Sequence, residues 1–396
     1  LRQVMRCAKL LLCISLITLT GCWDRKELND RAILLGWGMD YKAGMYHATA
    51  QLATTSQFSA EQGGGAGKTS SFVTSVGKGK NIRSAADDMD LRLSRSLFAG
   101  HRRSILIGED LAKHGIAKVI DEYSRYIIVR LRTDMFIVKG GTANDILKQQ
   151  YPFERIPVLG IFKIHSHLVI GAETALRDFL IAASSEGSTP VLPVLQVLKN
   201  VEKENKKNKA NESTIIFAGI AAFDEQLKLI GYLDAKTNAM RHWIMGSIKD
   251  LSLTPDVPEE HGNMSVDSRQ LKSKVTVDLK GDNVTINIRL SGNGNILENN
   301  TKLDLAKSDN IMYLQKALNK DVEKEARNAV QKAQKIKADV FGFGEFVHRK
   351  YPKRWKTMQK NWQQTFARAK IEVVSDIIIR KTGQLGEPLQ LKKKKS

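Results

Sequence analysis

The sequence predicts an α/β (α+β) fold in more than one domain, with mixed sheets packed against helices. Three observations predict it. Strand-like and helical runs alternate through the first half, as at Ser104–Ile107, Leu111–Tyr126 and Phe136–Val138, which argues for layers of sheet and helix rather than a bundle or a sandwich. A period-2 hairpin and a long helical stripe then recur in the second half. Finally, 396 residues exceed what one core organises, while 42% hydrophobic and 26% charged residues provide enough apolar surface to offset chain entropy.

In chain order, Arg31–Met39 and Met45–Ala53 read as a hairpin around Tyr41-Lys42-Ala43-Gly44, followed by a Ser/Gly-rich loop over residues 55–70. A strand near Phe72–Val76 leads to a helix from Ile82 to Leu97, whose Ile82, Ala85, Met89, Leu93 and Leu97 keep helical spacing. Ser104–Ile107 is a strand, Asp110 can cap a helix running from Leu111 to Tyr126, and Phe136–Val138 is a strand before a short helix through Ile146 and Leu147. A longer helix is read over Ile161 to Ala183. Thr189–Leu198 follows as an extended segment that Pro190 and Pro193 assign to a sheet edge.

Residues 202–213 are Lys, Asn and Glu without apolar periodicity, so they read as a solvated linker. Beyond them, Ile215–Phe223 and Leu227–Leu233 flank Asp224-Glu225 as a hairpin. Val275, Val277 and Leu279, then Val284, Ile286, Ile288 and Leu290, alternate about Gly281-Asp282-Asn283 as another. Asn310 to Val340 should be the longest helix, ended by Gly342; a further helix carries Trp355, Trp362 and Phe366, and Ile371–Ile379 closes as a strand. The organisation expected is a leader over 1–21, an N-terminal α/β region over 22–200 open to division into two subdomains, and a basic linker over 201–213. A C-terminal α/β domain over 214–390 and a basic tail over 391–396 complete it.

Lys and Arg outnumber Asp and Glu by 62 to 42, for a net charge of +20, so an anionic partner is expected: phospholipid headgroups, nucleic acid or an acidic protein. The three cysteines, Cys7, Cys13 and Cys22, all precede residue 23. The cysteine-free body excludes a disulfide framework, a thiolate metal site and a cysteine nucleophile. Ahead of Cys22, Arg2, Arg6 and Lys9 form a basic stretch and Leu10–Leu19 an apolar run, too short to span a bilayer but suited to a signal peptide. Either a non-Met start codon read as Leu1 or a start at Met5 leaves a workable leader. Leu19-Thr20-Gly21-Cys22 resembles the lipobox of bacterial lipoprotein precursors, which implies lipidation at Cys22 with a diacylglyceryl group and an N-acyl chain. Two chains, at about 0.8 kcal/mol per buried CH₂, anchor stably where one would hold only marginally. Trp23, directly after the lipid, suits the headgroup level, whereas Trp37, Trp243, Trp355 and Trp362 suit core or interface positions.

Cys22-Trp23-Asp24-Arg25-Lys26-Glu27-Leu28-Asn29, running into Ile33-Leu34-Leu35-Gly36, resembles the mature N-terminus of the Ger(x)C family, the C subunits of spore germinant receptors. The stretch from His101-Arg102-Arg103-Ser104 through Gly108-Glu109-Asp110 to Ile116 is similar to that family's central segment, and so is Arg125–Arg130. There, Tyr126 stands where an acid is more usual, so no ion pair is carried over. Ala338-Asp339-Val340-Phe341-Gly342-Phe343-Gly344 and then Tyr351-Pro352, Trp355, Trp362 and Phe366 resemble its closing motif. The resemblance implies a multidomain α/β protein without enzymatic activity and with no cofactor beyond its covalent lipid. It would sit on the outer face of the inner spore membrane, in contact with lipid and with two integral-membrane subunits, one permease-like and one multi-pass. Nucleic acid has no part in this reading. The nutrient ligand stays open, as does the alternative of a lipid-anchored solute-binding protein that captures the nutrient itself.

Other motifs carry less. Gly67-Lys68-Thr69 ends like a phosphate-binding loop, but Gln62 stands where the first glycine belongs. Gly77-Lys78-Gly79 fails as a dinucleotide turn because Ile82 takes the third glycine position. His165-Ser166-His167 lacks Cys, Asp or Glu ligands at useful spacing, and its imidazoles share a face only in extended chain. No nucleophile elbow or zinc-protease helix occurs, so no catalytic residue and no metal ligand is assigned. Lys392–Lys395 form a basic tail suited either to an anionic membrane surface or to solvent.

Overall fold

The computed structural model describes residues 30–54, 71–125, 130–149, 156–167, 175–199 and 213–383, with a few single positions besides. The loop read at 55–70, residues 201–212 of the linker, Tyr126 and the tail from 391 lie outside the described residues.

The first hairpin is as read: β1 (Arg31–Lys42) pairs antiparallel with β2 (Met45–Ala53), and β3 (Phe72–Gly79) adds to the far side of β2. Gly77 and Gly79 have a packing task. They seat α1 (Ile82–Asp90) on β3, because a Cβ would come within 2.0 Å of the Ala85 carbonyl oxygen at Gly77 and 2.2 Å of Ser84 Oγ at Gly79. An Asn81/Ser84 capping box opens α1. The helix stops at Asp90, short of Leu97. Leu97 lies in β4 (Ser96–Phe98), parallel to the start of β1, and Leu93 and Leu97 meet the same core as α1, so the apolar period outlasts the helix.

β5 (Ser104–Gly108) runs into α2 (Glu109–His114), then α3 (Ala117–Arg125) and β6 (Asp134–Lys139). The helix read over Leu111–Tyr126 is therefore two, broken at Gly115 with φ of +117°, where the Ile116 N–H turns away to donate to Leu227 O at 2.9 Å. Gly108, not Asp110, takes the cap position, and Glu109 and Asp110 place negative charge in the first turn. After α4 (Ala143–Lys148), the helix read over Ile161–Ala183 is likewise two, α5 (Pro157–His167) and α6 (Leu176–Ala183).

β7 (Val191–Lys199), β8 (Ser213–Phe223) and β9 (Leu229–Leu233) complete a nine-stranded sheet in the order β3-β2-β1-β5-β6-β7-β8-β9, with β4 beside β1. β7 is not an edge strand. It lies between β6 and β8, and Pro193 is tolerated because the ladder to β6 begins only at Val194. Nor does the basic segment separate two sheets, since β7 and β8 on either side of it pair antiparallel. Side chains alternate between the faces of this sheet. Ile105, Ile107, Met135, Ile137, Leu192 and Val194 enter one core with α1, α2, α3 and α6, while Leu106, Phe136, Val138 and Leu195 enter another with α4 and α5.

α7 (Ala235–Ile244) escaped the periodicity because its residues from Thr237 to Ile244 are all buried, leaving no polar face to set against an apolar one. It leads to a five-stranded sheet. There β10 (Leu251–Leu253) and β11 (Asp256–Val257) pair with β12 (Gly262–Lys280), which pairs with β13 (Asn283–Asn299) in a hairpin longer than read. α8 (Ser308–Lys335) ends before Ala338, short of the Val340 read from the stripe. The single later helix becomes α9 (Phe343–Lys350), α10 (Pro352–Met358) and α11 (Trp362–Arg368), and the chain returns as β14 (Lys370–Lys381), parallel to β13.

β14 is the sheet's outer strand, and α8 covers its edge by side chains. Ser375, Ile377 and Ile379 donate their N–H groups to Glu323 Oε1 (3.0 Å), Asn319 Oδ1 (2.7 Å) and Gln315 Oε1 (2.9 Å). The periods match: two strand residues advance about 6.6 Å and four helix residues about 6 Å. Asn319 also donates to Ile377 O at 3.0 Å, so it pairs both backbone groups of one residue. The helix thus takes the place of a further strand and closes an edge that would otherwise invite pairing. Asn319→Ala should lower stability by about 1–3 kcal/mol in urea denaturation, and Asn319→Asp, which keeps the acceptor, should lose less.

Candidate functional site

The segment resembling the family's closing motif lies where the two sheets meet. Its centre is Asp339, fully buried between the end of α8 and the start of α9. Lys337, with φ of +52°, turns the chain out of the helix, and Ala338, Val340, Phe341 and Phe343 drive the following turn into the core. Buried there, the Asp339 carboxylate must be met by donors, and it is. Oδ2 accepts from Gly344 N at 2.9 Å and from Trp362 Nε1 at 2.8 Å, and Oδ1 accepts from Phe341 N at 3.2 Å. The Asp339 N–H donates to Gln363 Oε1 at 2.9 Å. Burial pushes the carboxyl up to about 6, against the downward pull of the N–H donors.

This turn also holds the first sheet. Thr189, just before β7, donates its N–H to Asp339 O at 2.8 Å, and Ser185 Oγ donates to Glu345 Oε1 at 2.5 Å. From α7, Arg241 Nε donates to Val340 O at 2.6 Å. The apolar wall is continuous: Val191, Ile220, Ala222 and Leu233 of the first sheet share one core with Trp243, Phe343, Trp355 and Trp362. Trp355 and Trp362 pack edge to face with centroids 5.4 Å apart.

A second buried carboxylate does similar work inside the first sheet. Asp40, at the end of β1, accepts from Ala143 N at 2.8 Å and Asn144 N at 3.2 Å, satisfying the opening N–H groups of α4 from a distant strand. Burial raises its carboxyl to about 6 as well. Asp40 thus binds backbone N–H groups, and Asp339 backbone N–H groups and the Trp362 indole.

Cys22 and Trp23 lie outside the described residues, as do Gly63–Thr69 and Lys392–Lys395. Trp37, Trp243, Trp355 and Trp362 are all core residues. His165 and His167 belong to α5 and not to extended chain. Among the described residues no three of His, Cys, Asp and Glu gather at metal-binding distance. Reading the sequence placed Asp339 within a motif but gave it no task. The available signal was an acid set among Ala338, Val340, Phe341 and Phe343, a position that only a full set of donors can support. Arg241 and Ser185 left no such signal.

Comparison with known proteins places this architecture. The profile of the spore germination protein N-terminal domain matches residues 24–197, and that of the spore germination B3/GerAC-like C-terminal domain matches residues 218–383. The chain belongs to the Ger(x)C family of spore germination proteins. Two relatives come from Bacillus subtilis (strain 168). YfkR is 28% identical over 393 residues, which is 97% of this chain and 98% of that protein, and spore germination protein KC is 27% identical over 392 residues, 96% of each. The fold is that of the crystal structure of the GerBC protein. The match has a TM-score of 0.56 at 16% identity and covers 90% of this chain and 99% of that one. In this Ger(x)C protein, the turn at Asp339 draws its partners from both matched domains.

The raised carboxyl of Asp339 fixes a sign. A carboxyl that binds its proton more tightly folded than unfolded contributes most below the ordinary value of 3.8, and that contribution is lost as pH rises through about 6. Stability measured from pH 4 to 7 should therefore fall less steeply in Asp339→Asn than in the parent. At pH 7 the variant should still be less stable, by about 1–3 kcal/mol, because its amide N–H₂ must face at least one of the donors that Asp339 accepts.

Proposed function

We propose that this chain is a lipid-anchored subunit of a spore germinant receptor, required for the response to nutrients, that works through protein contacts and carries out no reaction. The observation that carries this reading is the match of both Ger(x)C domains along the mature chain. The N-terminal sequence supports the anchor. A basic stretch, an apolar run and Leu19-Thr20-Gly21-Cys22 stand in the order that lipoprotein processing requires, and Cys-Trp-Asp-Arg follows at once. Among the described residues no helix is long and apolar enough to cross a membrane, so on this reading attachment falls to the lipid on Cys22. Eight residues separate Cys22 from β1, a tether of roughly 30 Å at full extension, which would keep the body within reach of membrane subunits. The partners proposed are the permease-like and multi-pass subunits, on the outer face of the inner spore membrane.

The support for a non-catalytic role is the use to which the buried acids are put. Asp40 spends its oxygens on backbone N–H groups and Asp339 on backbone N–H groups and the Trp362 indole, which shapes a body for contact. Cys22→Ala should move the protein from the membrane fraction to the soluble fraction of spores and weaken the nutrient response. Full membrane retention with an unchanged response would refute the anchor.

A further inference from the structure

α7, β10 and α8 do not close fully against one another, and the cavity between them has a volume of about 320 Å³. That lies at the small end of small-molecule sites. Its floor is apolar, made by Met240 of α7, Leu253 of β10 and Val322 of α8, and its polar side carries Lys236, Asp321 and Glu325.

These three charges are not equivalent. Lys236 Nζ is bound to Glu325 Oε2 at 2.9 Å, so that pair is closed. Asp321 is half-buried and has neither a hydrogen bond nor an ion pair among the described residues, and burial and the charge of Glu325 both raise its carboxyl. Lys236, held by Glu325, and Lys324, which is exposed to solvent, pull it the other way, and Asp256 of β11 adds a further negative charge. Asp234, at the start of α7, is taken by Lys332 at 2.6 Å. Among the charged side chains that line the cavity, two carboxylates share one ammonium group, so the lining carries a net negative charge in a chain whose net charge is +20. An acid on an open helix face is satisfied by water. Asp321 instead is half-buried at the border of a cavity, beside a second carboxylate and above an apolar floor, where a charge without a direct partner is costly.

We propose that this cavity binds a small primary ammonium compound with a short apolar tail, its ammonium group on Asp321 and its tail on Met240, Leu253 and Val322. The charge pattern selects the class. An anion would face Asp321 and Glu325 together, a neutral molecule would leave Asp321 unpaired, and a bare inorganic cation would leave the floor uncovered. The proposal goes beyond the receptor role and needs neither lipid nor membrane subunits, so each can fail without the other.

The test uses the full chain with ¹³C-methyl methionine, the Met240 signal assigned through Met240→Leu, and n-butylammonium as the probe against n-butanol and butyrate at equal ionic strength. The Met240 methyl should shift saturably with n-butylammonium, and at least tenfold more weakly with the other two. Asp321→Asn should weaken n-butylammonium binding at least tenfold while its thermal melt stays that of the parent. No saturable shift at Met240 would overturn the proposal, as would equal responses to the three compounds or undiminished binding by a folded Asp321→Asn. The comparison of the three probes on the parent chain decides the matter even if the variant does not fold.

Discussion

A carboxylate sealed from water must be surrounded by hydrogen-bond donors, and at Asp339 that requirement organises the meeting of the two sheets. Phe341 and Gly344 can supply their N–H groups only if the chain turns tightly after α8, and Trp362 can supply its indole only if α11 folds back over that turn. The Asp339 carbonyl is then left pointing at Thr189, which fixes the entry of β7 into the first sheet. Removing any one donor leaves a buried charge short of a partner, which costs more than an ordinary hydrogen bond contributes. The joint is therefore specified as a set.

The consequence is a body in which the two domains of the Ger(x)C family are not beads on a string. β8 and β9 follow the basic segment in sequence yet extend the first sheet, and Ile220, Ala222 and Leu233 from them enter the core beneath α7 and the second sheet. Packed side chains run from β13 and α8 to Val191 of β7 in one continuous core. That suits a subunit proposed to act by touching its neighbours, since a close-packed interior transmits displacement where a linker would absorb it. The covered edge at β14 fits the same use: α8 spends Gln315, Asn319 and Glu323 on keeping a strand edge from pairing indiscriminately.

Much of this was legible in the sequence, and what was not failed for physical reasons. Strands with strict alternation, such as Val284–Leu290, and the stripe through Leu314, Leu318 and Val322 were read correctly because one face is buried and the other wet. α7 was missed because it is buried all round, even at Arg241 and His242. The helices read over 82–97 and 111–126 ran too long because apolar spacing reports which residues meet the core and not whether the backbone between them stays helical. The sheet that spans the basic segment was hidden for another reason: a loop and a domain linker have the same composition, and only strand pairing tells them apart. At the joint, the apolar setting of Asp339 was visible, but its donors lie up to 150 residues away along the chain, beyond any local pattern. Asp321 sat unremarked among the many acids of α8, since only the cavity sets it apart.

The central claim is that the two sheets form one cooperative unit through the Asp339 joint, and native-state hydrogen exchange tests it most directly. The account predicts that the core amides of β5 and β13 exchange through a single opening, with the same free energy and the same dependence on denaturant. If the β13 amides open at a distinctly lower free energy while β5 stays protected, the sheets unfold separately and the joint does not bind them.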